Sequence, residues 1–179
     1  KVGLRDGRIT SSEALVRWQH PTRGLLLPDE FVPVAERAGL VPGLTRAVLA
    51  QAISFHAERC PHVGVSVNIS HRDVVDDNLA EYIADLLRIY GYPAEKLTLE
   101  ITETELAHDP DRASRSIANL RSAGMRISID DFGVGYSSMA RLLDLEVDEV
   151  KIDKSFVLAI GGDTRAIAII RSTVELAAA

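Results

Sequence analysis

The sequence predicts an α/β fold in which parallel strands close into a (β/α) barrel of the TIM type. First, short apolar segments alternate with amphipathic ones at intervals of roughly 20 to 30 residues, and parallel strands need crossover connections of that kind. Second, the predicted strands carry polar residues on one face and apolar residues on the other. Third, the polar residues gather toward the strand ends, as they do at the mouth of a barrel.

The first elements are predicted as a hairpin followed by a helix. The segment from Lys1 to Trp18 has apolar residues on both sides of Asp6-Gly7, a dipeptide that supplies the positive φ of a tight turn. We therefore expect a strand, a turn and a longer strand. The segment from Pro42 to Arg59 predicts an amphipathic helix, because it has an apolar stripe at helical spacing: Leu44, Val48, Ala52 and Phe55.

The remaining elements repeat a strand-helix pattern. Val63 to Ser70 is a short apolar segment and is predicted as a strand, and Asn78 with Glu81 resembles a capping box that opens a helix. Further along we expect strands over 97–102, 126–131 and 147–153. We also expect a helix from Asp109-Pro110 to about Gly124, a short helix from about Ser137 and a closing helix after Asp163.

Strand parity distinguishes a barrel from an open doubly wound sheet. One face of four strands is polar: Ser66 and Asn68, Thr98 and Glu100, Ser128 and Asp130, Glu149 and Lys151. The opposite face is apolar: Val65, Val67, Ile69, Leu97, Leu99, Ile101, Ile127, Ile129, Val150 and Ile152. An open sheet with helices on both sides should be apolar on both faces, whereas a barrel can keep polar groups in its interior. The parity therefore favours the barrel.

Composition and charge narrow the classes of function. The net charge of −6, without a basic patch interleaved with aromatic residues, predicts that the chain does not bind long nucleic acid. The single cysteine, Cys60, can form no internal disulfide and has no neighbours for a zinc site, which favours a cytoplasmic setting. No apolar run approaches the roughly 20 residues of a membrane span, so we expect any anchor outside this chain.

Polar residues that could bind metal recur on the predicted strands: Glu13, Asn68, Glu100, the pair Asp130-Asp131 and Lys151. In a barrel these strands converge, and oxygen ligands of this kind suit magnesium or manganese. Taken singly, each is more simply a solvated carboxylate or a polar strand end. Their recurrence on one parity favours a metal site, because clustered acids repel each other without cations.

The adjacent acids and the following loop allow more than one chemistry. Asp130 and Asp131 could bridge two metal ions that activate water against a phosphodiester, with Lys151 orienting that water. The glycine-rich stretch from Asp131 to Ser138 could cradle a phosphate or simply connect two elements. An enolase-like barrel with carboxylate-bound magnesium and a lysine base is an alternative that fits the paired acids and the loop less well.

Five motifs, in this order, resemble those of the EAL-domain family of bacterial cyclic di-GMP phosphodiesterases. They are Glu13-Ala14-Leu15-Val16-Arg17-Trp18, Ser66-Val67-Asn68-Ile69-Ser70, Leu99-Glu100-Ile101-Thr102-Glu103, Asp130-Asp131-Phe132-Gly133 and Val150-Lys151-Ile152-Asp153. The resemblance implies a partial EAL domain over residues 1–179. Its fold would be a TIM-like barrel of EAL type whose antiparallel first strand forms a hairpin with the second. The last two strands and part of the first would be absent from this chain.

The resemblance also implies an activity, the hydrolysis of cyclic di-GMP to linear pGpG with one or two Mg²⁺ or Mn²⁺ ions. Metal ligands would be Glu13, Asn68, Glu100, Asp130 and Asp131, and the catalytic residues would be Lys151 and Glu13. Substrate contacts would come from Leu15, Arg17 and Asp153. Arg17 without the motif could equally form a surface ion pair. Glu103, Gly133, Gly135 and Ser137 would stabilise the loop after Asp131.

Two readings of the biological role follow from the resemblance. The first is an enzyme, completed by the glutamate ligand and glutamine motif that the family pattern places after the present sequence. The second is a module that binds cyclic di-GMP or a protein partner without hydrolysis, which the bulky Val134 in the glycine-rich loop favours. The family resemblance further allows a homodimer and neighbouring GGDEF or sensory domains.

Overall fold

The computed structural model describes residues 1–134 and 145–177 and has a mixed α/β architecture. Its strands are β1 (Ser11–Ala14), β2 (Trp18–His20), β3 (Gly24–Leu26), β4 (Gly64–Asn68), β5 (Leu97–Thr102), β6 (Arg126–Phe132) and β7 (Glu149–Ile152). Its helices are α1 (Pro28–Arg37), α2 (Val41–Arg59), α3 (His71–Val74), α4 (Leu79–Tyr90), α5 (Glu103–Leu106), α6 (Pro110–Ser122), α7 (Lys154–Ala159) and α8 (Thr164–Ala177). A 3₁₀ turn, Ala94–Lys96, leads into β5.

Five of the described strands form one parallel sheet in the order β1-β4-β5-β6-β7. Asn68 of β4 lies beside Glu100 of β5, and Glu100 lies beside Ser128 of β6. The register between β6 and β7 shifts between Ile129 and Phe132. This curled half-barrel of parallel strands confirms the predicted fold class. A separate antiparallel hairpin, β2–β3, leads into α1.

The outer face of the sheet forms the core against the helices. Its strand residues are fully buried: Val65, Val67, Leu97, Leu99, Ile101, Ile127 and Ile129. They pack in one cluster with helix residues such as Leu49 and Ile53 of α2, Ile83 of α4 and Ile117 of α6. The predicted parity is therefore confirmed, and the polar faces of the strands point to the interior of the half-barrel.

Two short helices that the sequence analysis did not predict begin where β4 and β5 end. Ser70 caps α3 and Thr102 caps α5, each through a capping box in which the acid three residues on, Asp73 or Glu105, bonds back to the cap residue. Each cap lies two residues after a predicted ligand, Asn68 or Glu100, and so marks where the chain leaves the sheet. The Ser-x-x-Asp and Thr-x-x-Glu spacing is the signal that could have predicted both helices.

The capping box predicted at Asn78 is wrong. Asn78 precedes α4 but makes no side-chain cap, and its backbone is already helical. Its backbone N and its side-chain Nδ2 both donate to Asp76 Oδ1, at 3.0 and 3.2 Å. The Asn78 side chain is therefore bonded to the preceding turn, and its oxygen accepts no bond from the first turn of the helix.

The N-terminal segment and the predicted short helix complete the comparison. Val2 and Ile9 form an isolated antiparallel bridge around Gly7, which has a φ of 66°, so the hairpin is present but shorter than predicted. The short helix predicted from about Ser137 lies outside the described residues. Among the helices of the described ranges, none has both the length and the apolar character needed to cross a membrane.

Candidate metal centre

Three carboxylates that point into the half-barrel meet toward the C-terminal ends of their strands. Glu13 of β1, Glu100 of β5 and Asp130 of β6 offer oxygen atoms that all lie within 4.8 Å of one another. Parallel strands bring these ends together because their C-terminal edges lie at the same end of the sheet. In the part of the chain that the structure describes, these three form the one such group of metal-binding side chains.

Asn68 lies beside this group and holds one of its members. Its side-chain Nδ2 donates to Glu13 Oε1 at 2.9 Å. Because the nitrogen is used in this bond, the amide oxygen of Asn68 is the atom that remains to bind a cation. The structure thus brings together four of the five predicted metal ligands.

Asp131, the fifth predicted ligand, is oriented differently. It has a φ of 52°, a left-handed conformation that is uncommon outside glycine, and its backbone N donates to Asp130 Oδ1 at 2.9 Å. Partial loss of solvent, and then the negative charges of Asp130 and Asp153, raise the pKa of its carboxyl group. Asp131 is exposed and stands outside the three-carboxylate group.

Lys151 of β7 supplies a positive charge to the centre. Its Nζ lies 2.8 Å from Glu100 Oε2, 2.8 Å from Asp130 Oδ2 and 3.8 Å from Glu13 Oε2. Burial by itself lowers the pKa of this ammonium, but the hydrogen bonds to Asp130 and Glu100 outweigh burial and raise it. Lys151 is therefore a charged hydrogen-bond donor while these two carboxylates face it.

Glu100 is the most enclosed member of the group, with an exposed fraction of zero. Among the described residues, no donor reaches its Oε1 in hydrogen-bonding geometry, although Lys1 Nζ stands 3.3 Å away. A buried carboxylate oxygen without a hydrogen bond is costly unless a cation compensates it. The Lys1 ammonium faces Oε1, whereas Oε2 faces Lys151 and the other acids. The all-oxygen donor set of the group fits a hard divalent cation.

The predicted substrate residues surround the centre at the surface. Leu15 is exposed, and exposed Arg17 donates only to the carbonyl of its neighbour Val16. Arg17 forms no ion pair with the described residues. Asp153 caps α7 by accepting from the backbone N of Ser155 at 2.8 Å, and the bonds to Ser155 lower the pKa of its carboxyl group. Leu15 follows directly after β1 and Asp153 directly after β7, and Arg17 lies between β1 and β2.

Glu103 lies where the predicted loop begins. It is almost completely buried, and its Oε2 accepts from the backbone N of Gly133 at 3.1 Å. Gly133 has a φ of 97°, and a Cβ there would lie 2.9 Å from Phe156 Cε2. Only glycine fits this position without strain. Gly135 and Ser137, the other two predicted loop residues, lie outside the described residues.

A groove of about 430 Å³ opens beside the centre, between the sheet end and helices α1 and α2. Its wall is largely apolar and includes Leu15, Val32, Val41, Leu44 and Ile69. Asn68, Thr102 and Glu105 line its end nearest the strands. Burial raises the pKa of the Glu105 carboxyl group. The groove offers an apolar surface next to the four oxygen ligands.

A second polar layer, which was not predicted from the sequence, lies beneath the carboxylates. Lys1 Nζ contacts Glu149 Oε1 at 2.5 Å and Ser66 Oγ at 3.1 Å, in addition to Glu100. The inward parity of Ser66 and Glu149 was a signal for two of these residues. Lys1 had no such signal, because it precedes the hairpin and its direction depends on how the hairpin folds.

Comparison with known proteins gives a consistent picture. The family model described as EAL domain matches residues 1–179. An uncharacterized protein of Mycobacterium tuberculosis is 41% identical over 182 residues, which cover 99% of this chain and 29% of that protein. A Pseudomonas aeruginosa protein named cyclic di-GMP phosphodiesterase is 35% identical over 181 residues, covering 99% of this chain and 31% of that protein. The chain spans less than a third of the length of either relative.

A solved structure shares the fold over almost the whole chain. The PaMucR phosphodiesterase in complex with c-di-GMP superposes with a TM-score of 0.90 at 32% identity. The match covers 98% of this chain and 72% of that one. The strand order described above therefore belongs to a fold that is known from a solved structure.

Proposed function

The chain belongs to the EAL domain family, and on that premise we propose that it carries the catalytic centre of a metal-dependent phosphodiesterase acting on cyclic di-GMP. The product would be linear pGpG. Relatives named cyclic di-GMP phosphodiesterases support the substrate. The observation that carries the proposal is the meeting of Glu13, Glu100 and Asp130 within 4.8 Å, with Lys151 against two of them.

The donor set favours Mg²⁺ or Mn²⁺, because it consists of carboxylate and amide oxygens. Glu13, Asn68, Glu100 and Asp130 would hold one ion, and Asp130 with Asp131 would serve a second. An ion bound there supplies Lewis-acid chemistry, which polarises the phosphodiester and lowers the pKa of water. Asp131 would have to turn toward the centre to take part, since its carboxyl group is exposed in the present conformation.

The side chains around the metal site would orient each other, the water and the substrate phosphate. Glu13 and Asn68 hold each other through the bond from Nδ2 to Oε1, so that both face the centre. Lys151, whose Nζ lies 2.8 Å from both Glu100 and Asp130, would donate hydrogen bonds that orient the attacking water or balance charge that develops on the phosphate. Arg17, with its guanidinium free of acidic partners among the described residues, is suited to a phosphate of the substrate.

Hydrolysis adds one water molecule across one phosphodiester bond. The water oxygen bonds to phosphorus, the bond from phosphorus to the ribose 3′ oxygen breaks, and that oxygen leaves with a proton from the water. The product is linear and keeps the second phosphodiester bond intact. Leu15 and Asp153 would bound the substrate, and Glu103 would hold the backbone at Gly133, where the loop with Gly135 and Ser137 begins.

The decisive experiment is hydrolysis of cyclic di-GMP in the presence of Mn²⁺, with pGpG separated by chromatography. We would assay the purified chain and any longer natural protein that contains it, each beside its Glu100→Gln variant. Metal-dependent pGpG formation that the variant loses supports the proposal. If the longest natural protein forms no pGpG with either Mn²⁺ or Mg²⁺, the enzymatic proposal is wrong.

A second candidate function is binding of cyclic di-GMP without hydrolysis. One observation favours it: the ammonium of Lys151 already compensates Glu100 and Asp130, so the acidic group is balanced without a divalent ion. In the experiment above, saturable binding of cyclic di-GMP by the longest natural protein without pGpG would support this role. The homodimer, the neighbouring GGDEF or sensory domains and the cytoplasmic location remain predictions.

A further inference from the structure

The ammonium of Lys1 reaches the buried carboxylate of Glu100 at the oxygen that Lys151 does not use. Lys1 Nζ stands 3.3 Å from Oε1, whereas Lys151 Nζ stands 2.8 Å from Oε2. Glu100 has no exposed surface. The two lysines therefore bracket a carboxylate that water does not reach, and each faces a different oxygen.

Lys1 is itself held in place by several contacts. Its Nζ contacts Glu149 Oε1 at 2.5 Å and Ser66 Oγ at 3.1 Å. Its backbone carbonyl accepts from the N of Thr10 at 3.0 Å, next to the start of β1. Ser128 Oγ lies 3.4 Å from the same Glu149 oxygen and extends the network to β6. An ammonium with this many partners has a defined position.

The position of this network along the strands follows from strand parity. Ser66, Ser128 and Glu149 each stand two residues before a residue of the centre, namely Asn68, Asp130 and Lys151. Residues two apart in a strand point to the same face, so this network forms a layer directly beneath the carboxylates. Glu100 is the residue that connects the two layers, because Lys1 contacts it from below and Lys151 contacts it within the centre.

We propose that Lys1 is a positioning residue of the metal centre, which fixes Glu100 Oε1 so that Oε2 is presented to the oxygens of Glu13 and Asp130. This inference rests on the proposed function, since it assumes that the carboxylates bind a divalent ion. Partners that orient a metal ligand typically contribute 10- to 100-fold to metal affinity. Lys1 touches neither the ion nor the substrate in this role.

The direction in which Lys1→Met changes the Mn²⁺ affinity distinguishes a positioning role from a purely electrostatic one. Removing a positive charge next to an acidic group strengthens the attraction for a divalent cation. If Lys1 acted only through its charge, Lys1→Met would therefore tighten Mn²⁺ binding. Positioning predicts the opposite result, because Glu100 Oε1 would lose the cation that faces it and the carboxylate would no longer be held toward Glu13 and Asp130.

The test is a calorimetric Mn²⁺ titration of the purified chain and three variants, with melting curves to verify folding. We expect Lys1→Met to raise the Kd about 10-fold or more, and Lys1→Arg to restore most of the affinity. Lys96→Met is the matched control, because the Nζ of Lys96 bonds only the His62 carbonyl among the described residues and Lys96 precedes β5 at the end away from the centre. Its Kd should equal that of the wild type.

An unchanged or lower Kd in folded Lys1→Met would overturn the inference while leaving the metal centre in place. If Lys1→Met does not fold, Ser66→Ala decides the question, because it removes one bond to Lys1 without altering any charge. Ser66→Ala should raise the Kd in the same direction by a smaller factor, and an unchanged Kd would overturn the inference. Absence of Mn²⁺ binding to the wild type would instead refute the metal centre of the proposed function.

Discussion

At the scale of single residues, Lys151 is the group whose surroundings most constrain its chemistry. Its ammonium bonds the oxygens of Glu100 and Asp130 at equal distances of 2.8 Å. A divalent ion would need these same oxygens, so the ammonium and the ion compete for them. An ion bound to these carboxylates would displace the Lys151 ammonium from them. The ammonium could then donate to a water molecule or to a phosphate.

Lys151→Met should therefore separate metal binding from hydrolysis. We expect Mn²⁺ to bind more tightly, because the competing ammonium is gone, and hydrolysis of cyclic di-GMP to fall about 10²- to 10³-fold, as for loss of one preorganised donor. Calorimetry gives the Mn²⁺ affinity and chromatography of pGpG gives the rate. Lys96→Met, the same change on a lysine at the opposite end of β5, should alter neither quantity.

We therefore expect substitution by methionine to change the Mn²⁺ affinity in opposite directions at the two lysines that contact Glu100. Methionine at position 151 should raise Mn²⁺ affinity, and methionine at position 1 should lower it. A near-normal rate in Lys151→Met would show that the ammonium only balances charge. The contrast arises because Lys151 occupies Oε2, which faces the centre, whereas Lys1 faces Oε1.

At the scale of elements, the end of β6 joins the sheet to the predicted loop. Glu103 of α5 accepts from the N of Gly133, and Phe156 of α7 packs against the same glycine. The φ of 97° at Gly133 keeps the backbone amide directed at Glu103. A strand end, two short helices and one glycine therefore position the start of the loop.

Gly133→Ala should destabilise the chain by about 1 to 3 kcal/mol, because alanine is strained at this φ and its Cβ would meet Phe156. Gly43→Ala is the matched control: Gly43 lies in α2 with open space around it and an ordinary φ. It should cost no stability and could add up to about 1 kcal/mol through helix propensity. Urea unfolding measures both, and equal stability of the two variants would contradict the account of Gly133.

At the scale of the whole molecule, the centre links strands that are far apart in the sequence. Glu13, Asn68, Glu100 and Asp130 come from β1, β4, β5 and β6, and Lys151 comes from β7. β1 and β7 are the outer strands of the described sheet. A ligand held by four strands therefore favours the folded arrangement over the unfolded chain, in which these residues are dispersed.

Mn²⁺ should accordingly stabilise the folded chain. At a free concentration of 100 times its Kd, a ligand that binds only the native state adds about 2.7 kcal/mol. Thermal melting with Mn²⁺ and with a chelator measures the shift for the wild type and for Glu100→Gln. The variant should lose most of the shift, because the ligand set loses its buried carboxylate. An equal shift in both proteins would place the bound ion elsewhere.

The sequence alone determined the strand faces and the fold class. Period-two alternation predicted that Asn68, Glu100, Asp130 and Lys151 point inward, and the buried outer faces confirm that parity. This was possible because side-chain direction in a strand depends only on the local backbone. The helix that begins after Asp109 was also local in origin, since the Asp109 side chain accepts from the N of Arg112.

Only the tertiary structure decided how these residues use their charges. That Lys151 pairs with Glu100 and Asp130, and that Lys1 faces Glu100 from 99 positions away, depends on the curvature and register of the sheet. Contacts between distant segments have no local pattern in the chain, so folding itself had to reveal them.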